Sequence, residues 1–226
     1  MPALPVGTRT PKRAPSPTVT RIVEVATTTG TARAHLDGRE PAAAPHLLVL
    51  GHGAGGGVEA VDLLAARDAA VRLGWAVVRV EQPWRVRGRR VAEAPARLDQ
   101  AWLEVCRNLL DRRAPGRLVL GGRSAGARVA CRTAAALGAA GVLCLAFPLR
   151  PPGRRAAGAP PPSRQHELDA VGVPLLVVQG TRDAFGVPEG SVSVQGADHA
   201  FRVRRADPPA RPQVEQAVRT WLQTLT

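Results

Sequence analysis

The chain is predicted to fold as a mostly parallel α/β sandwich with an antiparallel hairpin ahead of it. From residue 47 onward, short strand-like and longer helix-like segments alternate strictly, the order that builds a parallel sheet with helices on both faces. The strand segments, such as Leu47-Leu48-Val49-Leu50, are apolar at every position, as strands covered on both faces must be. Two alternating segments, Arg21 to Val25 and Ala32 to Leu36, flank a Thr-Thr-Gly turn and form the hairpin. A chain of 226 residues is long enough for one full core and too short for two ordinary domains.

Residues 1–18 are rich in proline, threonine and basic groups and are expected to be a disordered tail, leaving 19–226 as the domain. After the strand at Leu47 comes a helix over Val58 to Leu73, with Val61, Leu64 and Val71 on one face, and then a strand over Trp75 to Val80. Leu98, Trp102, Val105 and Leu109 recur at helical spacing until Pro115-Gly116 stops the helix. Strand Leu118 to Leu120 leads into a helix over Ala125 to Leu137. Further strands are expected at Gly141 to Phe147, at Pro174 to Val178 and, more weakly, at Ser191 to Val194. The chain closes on an amphipathic helix carrying Val214, Val218, Trp221, Leu222 and Leu225 on one stripe.

The formal charge of +13 is almost entirely arginine; Lys12 is the one lysine, and it stands in the tail. The arginines are scattered, and few aromatic residues accompany them, so neither nucleic acid nor a membrane is expected as a partner. The lack of tyrosine and of a lysine in the domain excludes P-loop enzymes, pyridoxal enzymes and short-chain dehydrogenases. Cys106, Cys131 and Cys144 stand in unrelated apolar settings and read as buried thiols of a cytoplasmic protein.

Gly122-Arg123-Ser124-Ala125-Gly126 joins a strand to a helix, the setting in which a sharp turn lifts a serine hydroxyl off the backbone. A hydroxyl needs a base to take its proton, and the base needs an orienting acid. His199, in a loop between a strand and the last helix, is the candidate base, and Asp183, just past the preceding strand, the candidate acid. His35 and His46 belong to early strands, His166 to a polar linker or short helix, and His52 to the glycine loop, where it reads as structural. Asp198 adjoins the base and Asp169 precedes its strand, so both are worse placed than Asp183. The loop Gly51-His52-Gly53-Ala54-Gly55-Gly56-Gly57 lets the backbone approach a substrate, with Ala54 and Ala125 N–H as the expected oxyanion donors. No metal or cofactor is expected. The same loop satisfies G-x-G-x-x-G, with Glu81 ending the next strand as in a dinucleotide-binding fold; that reading leaves Ser124, Asp183 and His199 without a role.

These motifs, with Phe147-Pro148-Leu149, Gln179-Gly180-Thr181-Arg182-Asp183 and Gly196-Ala197-Asp198-His199, occur in an order that resembles a small α/β-hydrolase group close to the dienelactone hydrolases. That group is related to a hydrolase-like subunit of a chromatin acetyltransferase complex. The resemblance covers residues 20 to 226. It implies the α/β-hydrolase fold and a triad of Ser124, Asp183 and His199 but no substrate; a small-molecule acyl substrate is what the residues themselves lead one to expect. Its members include both enzymes and non-catalytic scaffolds, so a carboxylic-ester hydrolase and an interaction module both stay open.

Asp183 and His199 are only 16 positions apart, where the fold ordinarily inserts a helix. The seven residues Ala184 to Gly190 span at most ~25 Å, enough to return along a strand without one, so the last strand is expected to be short, displaced or loosely held. Pro148 to Val173 is too short and too rich in proline for a cap domain, which leaves the site open or loop-covered. Arg85, Arg87, Arg89, Arg90 and Arg123 lie at the same sheet edge and are candidates to attract an anionic substrate, though solvated arginines are the simpler expectation.

Overall fold

Strand β3 (His46–Gly51) explains the layering, because its alternate residues enter two different cores. Leu47 and Val49 join one cluster and Leu48 and Leu50 the other, so both sheet faces are covered. The computed structural model describes residues 20–111, 116–151 and 161–226. Within them lie β1 (Arg21–Thr27), β2 (Gly30–Gly38), α1 (Val61–Arg72), β4 (Ala76–Glu81), α2 (Pro83–Val86) and α3 (Pro95–Leu110). There follow β5 (Arg117–Arg123), α4 (Ala125–Thr133), β6 (Gly141–Leu145), α5 (Gln165–Asp169), β7 (Leu175–Gly180), β8 (Val192–Val194) and α6 (Ala210–Thr224).

The strands form an 8-stranded sheet in the order β1-β2-β4-β3-β5-β6-β7-β8. The β1–β2 and β2–β4 pairs are antiparallel, as the hairpin requires, and every later pair is parallel. Trp102 of α3 and Ala127 and Val129 of α4 join the first core; Leu63 of α1 and Val214, Val218 and Leu222 of α6 join the second. Among the described residues there is no separate cap domain. No described helix is long and apolar enough to cross a membrane.

The differences from expectation are local. The helix expected over Ala125 to Leu137 ends at Thr133 and finishes in a 3-10 turn, Ala135–Leu137, closed by Gly138 in the left-handed conformation. Helix α2 and a 3-10 turn at Pro41–Ala43 went unforeseen, since a single turn is too short to show a helical period. Strand β8 is short, as expected, but it is not displaced: Val192, Ser193 and Val194 pair in register with Val178, Gln179 and Gly180. The three cysteines are buried and free, as expected, but two of them do not stand in unrelated settings. Cys131 of α4 and Cys144 of β6 are neighbours, with sulfurs 3.4 Å apart as free thiols. The tail expected over 1–18, the helix stop at Pro115 and residues 152–160 of the loop after β6 lie outside the described residues.

Candidate active site

The turn between β5 and α4 holds Ser124 at φ 53°, ψ −110°, a backbone conformation rare for a residue with a side chain. Such strain costs about 1–3 kcal/mol and persists only where its surroundings enforce it. Here they do so through glycines. A Cβ on Gly122 would lie 2.6 Å from the Gly51 carbonyl oxygen, and one on Gly126 would lie 3.0 Å from the Gly51 Cα, so both must be bare. The Ser124 N–H donates to Leu145 O at 3.0 Å, tying the turn to β6.

His199 arrives from the loop after β8. Asp198 builds that loop: its Oδ1 accepts from the N–H of Ala200 (2.8 Å) and of Arg202 (2.9 Å). Partial burial opposes ionisation of Asp198, but those N–H groups and the Arg202 guanidinium hold its carboxyl below the usual range. Phe201, buried at φ 55°, anchors the far side of the turn. Asp198 is thus the cap of the turn and not the partner of the imidazole.

The structure brings Ser124, Asp183 and His199 together. His199 Nδ1 lies 2.8 Å from Asp183 Oδ2, and its Nε2 lies 3.0 Å from Ser124 Oγ. A proton on Nδ1, donated to the carboxylate, leaves Nε2 free to accept from the serine hydroxyl. The edge of the Phe185 ring packs against the imidazole, with centroids 4.3 Å apart. Asp169, the rival acid, is on α5 and accepts from Gln165 instead. The absent helix does no harm because side chains and loop backbone secure β8. Thr181 N–H donates to Val194 O (3.1 Å), Gly196 N–H to Thr181 Oγ1 (2.9 Å) and Arg182 N–H to Ala197 O (2.9 Å).

Asp183 is buried and fully engaged. Its Oδ1 accepts from Phe185 N–H at 2.8 Å, and its Oδ2 from Gln179 Nε2 at 2.7 Å as well as from His199. Gln179 Nε2 also faces Phe147 O (3.1 Å) and Gly186 O (2.9 Å). Three acceptors around one nitrogen fix the orientation of this amide, since its oxygen would be repelled there. Sequence reasoning assigned Gln179 no role. Its one signal was being the sole polar residue to end the apolar run from Leu175.

The glycine loop runs past Ser124 so closely that a Cβ on Gly53 would lie 3.3 Å from Ser124 Cβ. His52 clamps it: Nδ1 donates to Gly53 O (2.9 Å), and Nε2 accepts from Gln82 N–H (3.1 Å). Burial pushes the imidazole pKa of His52 down, which suits a ring that must stay neutral to accept that N–H. Among the described residues neither Ala54 N–H nor Ala125 N–H donates to another group. A crevice of about 10 Å³, room for roughly one water, is lined by His52, Trp84, Trp102, Ala125, Gly126 and Val129.

The arginines divide. Arg87 donates to Thr29 O and Glu93 on the surface, whereas Arg123 is buried and paired, contrary to the expectation of a solvated side chain. Among the described residues, no cluster of histidine, cysteine or carboxylate side chains is arranged to hold a metal ion.

Comparison with known proteins places this geometry. The profile of a family described as alpha/beta hydrolase domain matches residues 44–224. An α/β serine hydrolase without a lid from Xanthomonas campestris superposes with a TM-score of 0.68 at 21% identity, covering 94% of this chain and 97% of its own. Est1E from Butyrivibrio proteoclasticus gives 0.70 at 14% identity over 90% and 98%. Dienelactone hydrolase from Anabaena variabilis gives 0.66 at 16% identity over 92% and 98%. At these identities the likeness is one of fold. None of the curated proteins matches the sequence.

Proposed function

Because the chain belongs to the α/β-hydrolase domain family, and the matched region takes in Ser124, Asp183 and His199, we propose that it is a serine hydrolase cleaving an ester or related acyl bond. The observation that carries this reading is the continuous hydrogen-bonded line from Ser124 Oγ through His199 to Asp183.

In the proposed reaction Ser124 Oγ attacks the substrate carbonyl carbon while His199 Nε2 takes its proton. Asp183 holds the imidazole in the required tautomer and stabilises the imidazolium. Its two carboxylate oxygens stay in place because Gln179 and the Phe185 N–H occupy their remaining lone pairs. The oxyanion forms against the strained turn, where Ala54 and Ala125 N–H receive it; one such donor is worth about 3 kcal/mol of barrier. His199 then protonates the departing alcohol, and water repeats the sequence to release the acid from Ser124. Three free thiols suit a reducing, cytoplasmic setting.

The dinucleotide reading is disfavoured because it leaves the hydrogen-bonded line of Ser124, His199 and Asp183 without a role. A fluorophosphonate probe with a short p-nitrophenyl ester panel tests the proposal. Wild type is expected to label and to hydrolyse short esters, and Ser124→Ala to lose both. Folded wild type that stays unlabelled would overturn the enzyme reading and fit a non-catalytic interaction module of the same fold.

A further inference from the structure

Arg123 stands immediately before the nucleophile, yet its guanidinium is turned inward. Its side chain is 10% exposed, and its Nε lies 3.2 Å from Oδ2 of Asp62, whose side chain is 0% exposed. Its Nη2 donates to the backbone carbonyl of His199 at 2.8 Å. Its Nη1 lies against the glycine loop, where a Cβ on Gly53 would come within 3.3 Å and one on Gly56 within 3.6 Å. One planar group thus touches the first turn of α1, the glycine loop and the turn that carries the imidazole.

The pair is poorly suited to a stabilising role. The Arg123–Asp62 contact lacks the alignment of a hydrogen bond, and besides it the buried Asp62 carboxylate has only the nearby N–H groups of Asp62 itself and Leu63, neither well aligned. Burying two charges with so little compensation seldom stabilises a fold. Desolvation raises the Asp62 pKa to about 6 even with Arg123 opposing it. Its position has a second meaning. Apart from the imidazole itself, the other hydrogen bonds of residues 196–202 run to Thr181, Arg182 and Val194 or stay within the turn, all on the β7–β8 side. Among the described residues, Arg123 is the one group that bonds the backbone of that turn to the nucleophile's side, where the imidazole reaches only Ser124 Oγ.

We propose that Arg123, held by Asp62, is a positioning residue for His199. It ties the imidazole turn to the end of β5, supplying the bracing that a helix between β7 and β8 would otherwise provide. The chain reads Arg123-Ser124, so the group that fixes the base and the group that uses it are covalent neighbours. Only a forked, planar cation can hold Asp62 and the His199 carbonyl at once; a lysine ammonium is a single point. The proposal deepens the serine-hydrolase reading and rests on it for its kinetic part.

The test compares the full-length wild type with Arg123→Met, Arg123→Lys and Asp62→Asn. Three quantities are measured: kcat and KM on p-nitrophenyl acetate, the thermal midpoint by circular dichroism, and the downfield Nδ1 proton resonance of His199. Both arginine variants are expected to lose kcat by about tenfold to a hundredfold, the loss that an ångström of misplacement brings. KM is expected to stay within about twofold, because misplacing the base acts on the transition state and not on ground-state binding. The His199 resonance should broaden or vanish in both, and Asp62→Asn should show a smaller loss of the same kind. Unchanged kcat with a sharp His199 resonance in Arg123→Lys, or a kcat loss with that resonance intact, overturns the proposal. The resonance needs no turnover, so it decides the positioning role even if wild type fails to react with the phosphonate; that failure would sink the serine-hydrolase reading by itself.

Discussion

Replacing Gln179 by leucine should separate the support of Asp183 from its chemistry. Gln179 is fully buried at the end of β7, and leucine keeps most of its volume. The substitution removes a hydrogen bond to a carboxylate, worth about 1.5–3 kcal/mol, and leaves Gly186 O without a partner, a cost of about 1–2 kcal/mol. Phe147 O keeps its bond from Leu149 N–H and adds little. Against this, Gln179 Oε1 is itself buried without a partner in the wild type, and its removal offsets about 1 kcal/mol. The net expectation is a destabilisation of about 1.5–4 kcal/mol, read from urea denaturation followed by circular dichroism. Asp183 would also lose one of the two donors on Oδ2, and a carboxylate that wanders no longer fixes the imidazole. If that loss is felt in the transition state, kcat should fall about tenfold or more at constant KM. A variant within about 0.5 kcal/mol of wild type, with unchanged kcat, would refute the view that this amide holds the acid.

Two further outcomes follow from packing and charge. Gly126→Ala drives a methyl into the backbone of Gly51, which no rotamer can relieve, and should cost about 3 kcal/mol or more. In a chain of this size that lowers the melting midpoint by several degrees, whereas Gly55→Ala, facing open space, should melt like wild type; equal melting of the two variants would refute the close β3–α4 approach. Burial holds both His35 and His52 below their ordinary 6.5, so the unfolded chain takes up protons there that the fold refuses. Stability should therefore be complete well above that value and fall as pH drops through it, by up to ~1.4 kcal/mol per pH unit for each histidine. Asp62 acts in the opposite sense, since the fold keeps its proton up to about 6 while the unfolded chain releases it near 3.8, so the decline should flatten below pH 6. A urea midpoint that stays level or rises between pH 7.5 and 6 would contradict this.

Much of the molecule was legible because its signals are local. An apolar run such as Leu47 to Leu50 declares a doubly covered strand wherever it occurs, and the period of α6 declares its buried stripe. The G-x-S-x-G turn is readable for the same reason: its two glycines are needed where the backbones of Gly51 and Gly126 meet, so the constraint is written in the residues themselves. One-turn helices such as Pro83–Val86 escaped, because four residues cannot display a period.

The sequence by itself determined the layered sheet, the serine at the strand-to-helix turn and the order in which acid and histidine follow it. Whether those three groups meet was decided only in three dimensions. Sixteen positions between Asp183 and His199 say nothing of the path between them, which depends on Thr181, Arg182 and Arg123 bonding the loop from two sides. The inward turn of Arg123, the buried amide of Gln179 beside Asp183 and the contact of Cys131 with Cys144 belong to the same class. Each joins residues from separate elements, and such pairings carry no period and no spacing along the chain. They arise from the packing of one element on another, which is where burial turns a surface-type residue into part of a site.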